Sequence, residues 1–378
     1  MTDEDTDILI VGGGVAGLAL AGFLERDGYR PTVVERSGEG DGSGWAIGLR
    51  PNGVSVLDKL GVLDEALARG SMSEEVGIRT SDGASTTVPT REGMLALHRS
   101  DLIEVLRGAL SRSEVRRETS PQNFETDRGS VEVGFGQGTE PYDIVVGADG
   151  IGSWVGSEML DTEVVRRSTV TWSFRVPSSA EPVLPPNLVS LFAPGTGAIA
   201  DEVNGRALVN ISTKLPPAET PQPPALDLLR DVADDIGWRI PDYVGTLDDT
   251  SEVYFRRDYE VTAPSWHSQN AVLVGDAAHA VHPIVAAGAT LALEDGYVLA
   301  DELVSESDPS YAFASFEKRR RARVKTVRKA AHVAERVAFS ESSLLTVPRN
   351  TLARILPVPG FGVALRGISL AKPSLDEV

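Results

Sequence analysis

Short, wholly apolar runs along this chain lead repeatedly into glycine turns and then into amphipathic stretches, the pattern of buried strands feeding helices. Ile8-Leu9-Ile10-Val11 is the first such run. It predicts a buried strand entering the turn Gly12-Gly13-Gly14, then a helix over 15–27 closed by Gly28. A second strand, over 31–34, ends at Glu35. The stretch 37–44 is rich in Gly, Ser and Asp and reads as a loop. Next comes Trp45-Ala46-Ile47-Gly48-Leu49-Arg50-Pro51-Asn52-Gly53, then a helix over 54–60; Ala46 and Gly48 are small enough to let backbone approach a flat ring. Residues 76–88 pattern as a hairpin turning at Ser81-Asp82-Gly83. An amphipathic helix follows over 102–110, with Ser100 or Asp101 as its N-cap and Arg99 at its mouth. Short strands at 123–126 and 130–135 lead to a second apolar run, Ile144-Val145-Val146, which enters Gly147-Ala148-Asp149-Gly150.

From 166 to 261 the helical period fades. Short alternating strands take over (170–176, 188–192, 207–212, 252–255), separated by proline-rich connectors at 181–187 and 215–224, with one helix near 225–235. This region reads as a separate, mostly antiparallel sheet. The third apolar run, Ala271-Val272-Leu273-Val274, enters Gly275-Asp276 and is followed by a helix over 290–303. A long helix over 311–339, either core or a dimer face, precedes a tail with Pro348, Pro357 and Pro359. No internal repeat is present.

Composition narrows the picture. A chain of 378 residues has room for two to three domains and a large core. There are no cysteines, which excludes disulfides, thiolate metal sites, a cysteine nucleophile and a cysteine-linked flavin. The net charge of −19 argues against a nucleic-acid partner. Lysines are few (Lys59, Lys214, Lys318, Lys325, Lys329, Lys372), so arginine carries most of the positive charge, as expected of an acidic surface suited to a salt-rich cytoplasm. The basic run 318–323 reads as a solvated helix face offsetting that surface. Residues 8–24 form an uncharged run of 17, but an acidic stretch precedes it and glycines interrupt it. It is expected to be neither a signal peptide nor a membrane span, and the protein is expected to be soluble and cytoplasmic. No His/Asp/Glu cluster has the spacing of a metal site.

The candidate chemistry starts at Gly12, Gly14 and Gly17, at the G-x-G-x-x-G spacing. These glycines supply a tight turn, close backbone approach to a pyrophosphate and close helix-on-strand packing. The N–H groups of Val15 and Ala16 then lie at a positive helix end that favours phosphate. Glu35, 18 residues past Gly17, is placed to accept hydrogen bonds from an adenosine ribose. A strand before the glycines, a helix after them and an acid at this distance together predict dinucleotide binding.

Three strand–glycine–acid units around a β-rich insertion resemble the class A FAD-dependent monooxygenases, the para-hydroxybenzoate and salicylate hydroxylase group. The resemblance covers the chain to about residue 330. It rests on Gly12-x-Gly14-x-x-Gly17 with Glu35-Arg36, Leu49-x-Pro51-Asn52-Gly53, His98-Arg99-x-x-Leu102, Gly147-Ala148-Asp149-Gly150-x-x-Ser153, Gly275-Asp276-Ala277-Ala278-His279-x-x-x-Pro283, and Glu294-Asp295. It implies an α/β fold: a Rossmann-type, glutathione-reductase-like FAD domain with an inserted, mostly antiparallel β-sheet substrate domain and a C-terminal helical segment. On this plan the FAD domain comprises residues 1–75, 98–165 and 263–310. The hairpin 76–97 and residues 166–262 form the substrate domain, and 311–378 the helical segment.

The resemblance also implies non-covalent FAD, held by Gly12, Gly14, Val15, Ala16, Gly17, Glu35 and Arg36 at its ADP half. Arg99 would contact the ribityl–phosphate region and Asp276, beside Gly275, the ribityl hydroxyls; those hydroxyls would also satisfy a buried carboxylate. Asp149 would serve FAD and a transient NADH or NADPH. Gly288 and Ala289 would line the flavin. Two positions depart from the family pattern. Ala286-Ala287-Gly288-Ala289-Thr290 stands where the family writes Gly-Gln-Gly-x-Asn, with Thr290 as a candidate cap of the next helix, whose N-terminus would stabilise negative charge on reduced flavin. Gly156 stands where the second motif ends in arginine.

The implied reaction is hydroxylation of a small aromatic or otherwise electron-rich substrate by O₂, through a flavin hydroperoxide, at the expense of NAD(P)H, in a monomer or homodimer. No catalytic base is identifiable, although His279 and His282 lie near the expected flavin. The alternatives are a flavin halogenase, suggested by Trp238-Arg239-Ile240-Pro241 but lacking that family's first tryptophan, and a non-catalytic flavoprotein.

Overall fold

A computed structural model of the chain describes residues 6–38, 46–127, 129–136, 138–176, 188–215, 226–248 and 253–355. Most of the Gly/Ser-rich loop with Trp45, the proline connectors at 181–187 and 216–224, residue 252 and the tail with Pro357 and Pro359 lie outside the described residues. In chain order the elements are β1 (Ile8–Val11), α1 (Val15–Arg26), β2 (Thr32–Glu35), β3 (Ala46–Leu49), α2 (Pro51–Leu60), α3 (Leu63–Arg69), β4 (Ser71–Thr80), β5 (Ser85–His98), α4 (Arg99–Gly108) and β6 (Glu114–Arg117). There follow β7 (Asn123–Asp127), β8 (Ser130–Phe135), β9 (Gly138–Tyr142), β10 (Ile144–Gly147), α5 (Trp154–Met159), β11 (Glu163–Arg175), β12 (Leu188–Ala193), β13 (Thr196–Val203) and β14 (Arg206–Lys214). The chain continues through α6 (Leu226–Ile236), α7 (Ile240–Gly245), β15 (Tyr254–Thr262), β16 (Ala271–Leu273), α8 (Asp276–His279), α9 (Gly288–Ser305), α10 (Pro309–Ala338) and α11 (Ser343–Ile355).

The three apolar runs become β1, β10 and β16, neighbours in a five-stranded parallel sheet of order β16-β10-β1-β2-β6. Every residue of β1, β10 and β16 is buried, because helices cover the sheet and leave no polar face. Helix α1 is buried from Ala16 to Glu25, consistent with a helix apolar nearly all round. Helix α9 packs so tightly on it that a Cβ at Gly296 would sit 2.8 Å from the Leu20 nitrogen.

The second sheet has eight strands, in the order β15-β11-β14-β13-β12-β4-β5-β3. All its pairings are antiparallel except β12 with β4, which joins the early hairpin to the later strands. The hairpin is longer than its alternation suggests, since β4 starts at Ser71 and β5 reaches His98. Strand β13 has no counterpart in the sequence reading: its small, mixed residues Thr196-Gly197-Ala198 hide the alternation. One face of this sheet carries Val170, Trp172, Phe174, Val189, Ala198, Val209 and Ile211 and packs on α6 and α7. By the two-residue period of a strand, the other face carries Thr171, Ser173, Ile199, Asp201, Leu208, Asn210 and Ser212. The sheet curls until β13 and β14 touch β5 and β3, which turns this second, largely polar face inward.

Strands β7, β8 and β9 form a small antiparallel meander. Helix α10 buries Phe313, Phe316, Arg320, Val324, Val327 and Ala331, so one of its faces is core. Among the described residues no helix is long and apolar enough to cross a membrane. Nor does any group of three His, Asp or Glu residues among them have the geometry to hold a metal ion.

Candidate active site

The glycine turn after β1 is shaped by contacts that exclude side chains. A Cβ at Gly12, which sits at φ +115°, would lie 2.3 Å from the Ala148 carbonyl oxygen, and one at Gly17 would lie 2.1 Å from the Gly12 oxygen. Gly14 is different. A Cβ there meets nothing within 4 Å, and Gly14 is the N-cap of α1, with no side-chain hydrogen bond to the cap and no acid in the first turn. Bare N–H groups and open space at a helix N-terminus suit a pyrophosphate. Val15 and Ala16 open the helix; the Ala16 methyl packs 3.0 Å from where a Gly275 Cβ would stand, which leaves its backbone N–H as the useful group. Glu35, at the end of β2, folds across this turn: Oε2 accepts the Gly13 N–H at 2.8 Å and Oε1 the Ser37 N–H at 2.9 Å. Arg36 beside it is exposed.

The third unit meets the first. Gly275, at φ +60°, is wedged between Ala16 and Ala292, and its N–H donates to Asp295 Oδ2 at 2.7 Å. Asp276 begins α8, open to solvent on one side yet ringed by protein atoms. Burial and Asp295 push its carboxyl above the usual range, while His279, Arg256 and Arg99 pull it down. Arg99, the first residue of α4, thus acts on Asp276 from across the site. The cap of α4 is His98, not Ser100 or Asp101: the Ser100 hydroxyl instead pairs with His98 Nδ1 at 2.7 Å. Gly288 opens α9, and a Cβ there would stand 3.8 Å from Asp276 Oδ1. Ala289 follows it, half-buried.

Helix α9 likewise has no side-chain cap and no acid in its first turn. Its N-cap is Ala287 rather than Thr290, because Thr290 lies inside the first turn, where Oγ1 accepts the Arg50 backbone N–H at 3.0 Å. Arg50 also donates through Nε and Nη2 to the Val285 carbonyl, at 3.1 and 2.5 Å, tying β3 to this loop. Ala286 adopts the left-handed conformation (φ +46°) that the family assigns to glycine, and a Cβ at Gly48 would stand 3.5 Å from its methyl. Two uncapped helix N-termini, a cleft-facing carboxylate and backbone that tolerates a flat ring fit FAD.

Asp149 is less available than the sequence suggests. Its carboxylate accepts from Ser153 Oγ and from the N–H groups of Trp154 and Val155, at 2.7 and 3.2 Å for the latter two, and so caps α5. Burial raises its pKa against these hydrogen bonds. Its neighbour Gly150, at φ +78°, supplies the turn. Gly156 is fixed by packing: a Cβ there would sit 2.8 Å from both Cγ2 and Oγ1 of Thr162, so an arginine requires Thr162 to move.

The two histidines are committed elsewhere. His279 Nε2 bonds Asp295 Oδ2 at 2.6 Å. Arg320 bonds the other oxygen of Asp295 at 2.6 Å and Glu294 at 2.8 Å, while Asn52 and Arg323 each bond Glu294 at 2.9 Å. Burial alone would raise Asp295; His279 and Arg320 hold it down at about 2. His282 Nδ1 accepts the Ile284 N–H at 3.2 Å, so its proton is on Nε2, which donates to Thr169 Oγ1 at 2.8 Å. With both nitrogens used, His282 has no lone pair for a substrate proton. Burial, reinforced by Arg167, Arg256 and His332, lowers its pKa to about 3. The bond to Thr169 also brings the curled sheet against the loop that carries Pro283 and Ala286. The Arg320 network and Arg50 carry no local sequence signature, since their partners lie 25 or more positions away.

Residues 5–331 match the family model described as FAD binding domain. Over 365 residues the chain is 30% identical to 2-heptyl-3-hydroxy-4(1H)-quinolone synthase of Pseudomonas aeruginosa strain UCBPP-PA14, covering 93% of this chain and 94% of that protein. It is 28% identical to the 3-amino-4-hydroxybenzoate 2-monooxygenase PtnB3 of Streptomyces platensis, covering 91% and 90%. Its fold matches that of Klebsiella pneumoniae HpxO, solved with FAD and uric acid, with a TM-score of 0.85, 20% identity and 97% of each chain covered. With a glycine turn, a cleft carboxylate and paired helix N-termini shaped for FAD, this chain belongs to the class A flavin monooxygenases, a family of FAD-dependent oxidoreductases.

Proposed function

We propose that this protein uses NADH or NADPH and O₂ to hydroxylate a small aromatic or otherwise electron-rich molecule. The observation that carries the reading is the curled sheet: its polar inner face lies against the same β3 and 282–286 segments that border the FAD cradle. Bound FAD would supply the hydride acceptor and the oxygen-activating ring. The chain's part is to bind, orient and exclude water. Gly12, Gly14, Gly17 and Glu35 hold the ADP half. Asp276 and Arg99 would hold the chain linking it to the ring, and the N-terminus of α9 would favour negative charge at its end of the cradle. The sheet roofs the substrate, with Ser173 Oγ donating to Asn210 Oδ1 at 2.6 Å and so aiming the amide NH₂ away from that pair. Relatives named for a hydroxyquinolone and an aminohydroxybenzoate support an aromatic substrate.

Anaerobic stopped-flow reduction of the FAD-loaded protein tests this. NADH and NADPH are each mixed with it in the presence of phenols, quinolones and aromatic acids. Acceleration of flavin bleaching by one compound, and its hydroxylation in air, is the expected result. A flavin that neither nicotinamide reduces, whatever compound is present, overturns the proposal and favours a non-catalytic flavoprotein.

A further inference from the structure

The inner face of the curled sheet buries one carboxylate with almost nothing to hold it. Asp201, on β13, is 6% exposed, and its Oδ1 has no hydrogen-bond partner among the described residues. Its register neighbours are apolar, Leu188 on β12 and Leu208 on β14. Leu208 packs with Val203, with Ala96 of β5 and with Ala46 of β3 across the curl. The neighbouring Glu202 N–H is the donor that eases the charge, and the Glu202 carboxylate is the one charged group that acts on it, unfavourably. The arginines nearest to it in register on this face, Arg206 on β14 and Arg175 on β11, are both exposed to solvent. An unpaired buried carboxylate is costly, and a fold keeps one where a ligand completes it.

Its position says which ligand. Ala46 lies two residues before Gly48, which faces Ala286 of the flavin-side loop. Asp201 pairs in register with Leu208, which packs on Ala46, so it lies on the sheet face turned toward that loop. Once ionised, this carboxyl can only accept, so a substrate that binds that form must bring a donor.

We propose that Asp201 is the substrate-recognition base of this protein, accepting the acidic O–H or ring N–H of a phenol or hydroxylated heteroarene. The inference rests on the monooxygenase reading above. In the step assigned to it, the substrate O–H (or N–H) bond breaks, the proton bonds Asp201 Oδ1 and the electron pair stays on the substrate, enriching the ring that receives oxygen. Burial, with Glu202 adding to it, pushes the Asp201 carboxyl up to about 8, near the range where such a transfer is balanced. His282 is not an alternative base, because both its nitrogens are bonded.

The test is binding, read from the absorbance of the FAD-loaded protein, and it needs no turnover. The probes are 4-methylphenol, whose hydroxyl stays protonated across the range used, and its methyl ether, which has no donor. The wild type should bind the phenol about tenfold more tightly for each pH unit up to about 8 and then level off. Asp201→Asn should abolish that rise and weaken the plateau by about tenfold or more, with FAD content unchanged. Asp201→Glu should retain a rise. The methyl ether should bind wild type and Asp201→Asn equally weakly. Equal binding of phenol and ether by the wild type, or an unchanged pH profile in Asp201→Asn, overturns the assignment of Asp201. A failure of the monooxygenase reading shows separately, as flavin reduction that no bound phenol alters.

Discussion

The parallel sheet and the curled sheet bury carboxylates in opposite ways. Under the first, Asp295 is fully enclosed but meets His279, Arg320 and the Gly275 N–H, and its pKa falls to about 2. Inside the second, Asp201 is nearly as enclosed, meets leucines, and is pushed up to about 8. Desolvation raises both; the number of donors decides the sign. The difference separates a region built to be finished in advance from one that leaves a position for a ligand. Beside the parallel sheet, His279, Asp295, Glu294 and Arg320 form a network that ties α8, α9 and α10 together. The inner face of the curled sheet leaves the Asp201 Oδ1 without a hydrogen-bond partner among the described residues.

Breaking the closed network should have the largest effect. Arg320→Met removes the buried cation that bridges Glu294 and Asp295, leaving Glu294 to Arg323 and Asn52 and Asp295 to His279 and the Gly275 N–H, an expected loss of about 3 kcal/mol in denaturant unfolding. A loss below about 1 kcal/mol would show that the network is not what holds these helices. Gly14→Ala sharpens the same contrast on the cofactor side. Its methyl meets no protein atom, so melting of the apoprotein should be unchanged. FAD affinity measured by fluorescence should nevertheless fall about tenfold to a hundredfold, because the pyrophosphate loses its close approach.

The next largest effects are pH windows of opposite sense. Asp201 keeps its proton in the fold up to about 8 but loses it in the unfolded chain near 4. Its contribution is whole below that lower value and is lost as pH rises through 8. Melting curves of Asp201→Asn should therefore gain on the wild type from about pH 4 to 8 and then run parallel. His282 is held neutral down to about 3, against 6.5 when unfolded. Its contribution is whole above 6.5 and is lost as pH falls toward 3, so His282→Gln should flatten part of the acid-side loss. The smallest effect concerns the surface. With a net charge of −19, added salt should raise the melting temperature by screening self-repulsion, by less than the Arg320 loss lowers it. Unfolding in molar salt would refute that.

How much of this was readable from the residues follows the same divide. The FAD turn was legible because its requirements are local. The G-x-G-x-x-G spacing is a local pattern, although the contact that excludes a side chain at Gly12 is made by Ala148, and the apolar runs of β1, β10 and β16 announce strands buried on both faces. Helix caps were read less well. Ser100 and Thr290 are capping residue types, but His98 and Ala287 occupy those positions: the Ser100 hydroxyl is taken by the neighbouring His98 ring, and Thr290 Oγ1 by the distant Arg50 N–H. The commitment of His279, His282 and Asp149 to protein partners was invisible too, because it depends on Asp295, Thr169 and the start of α5.

The sequence by itself determined the class of fold, the glycine turn after β1 and the family, since strand period, glycine spacing and helix polarity act over a few residues. Only the tertiary structure decided which side chains share the inner face of the curled sheet. Strand β13 was not evident from its own composition. Asp201 is enclosed only once Leu188 and Leu208 pair beside it and Leu208 packs on Ala96 and Ala46 across the curl. A side chain's pKa is set by its surroundings, and here those surroundings come from residues as much as 155 positions away (Asp201 to Ala46).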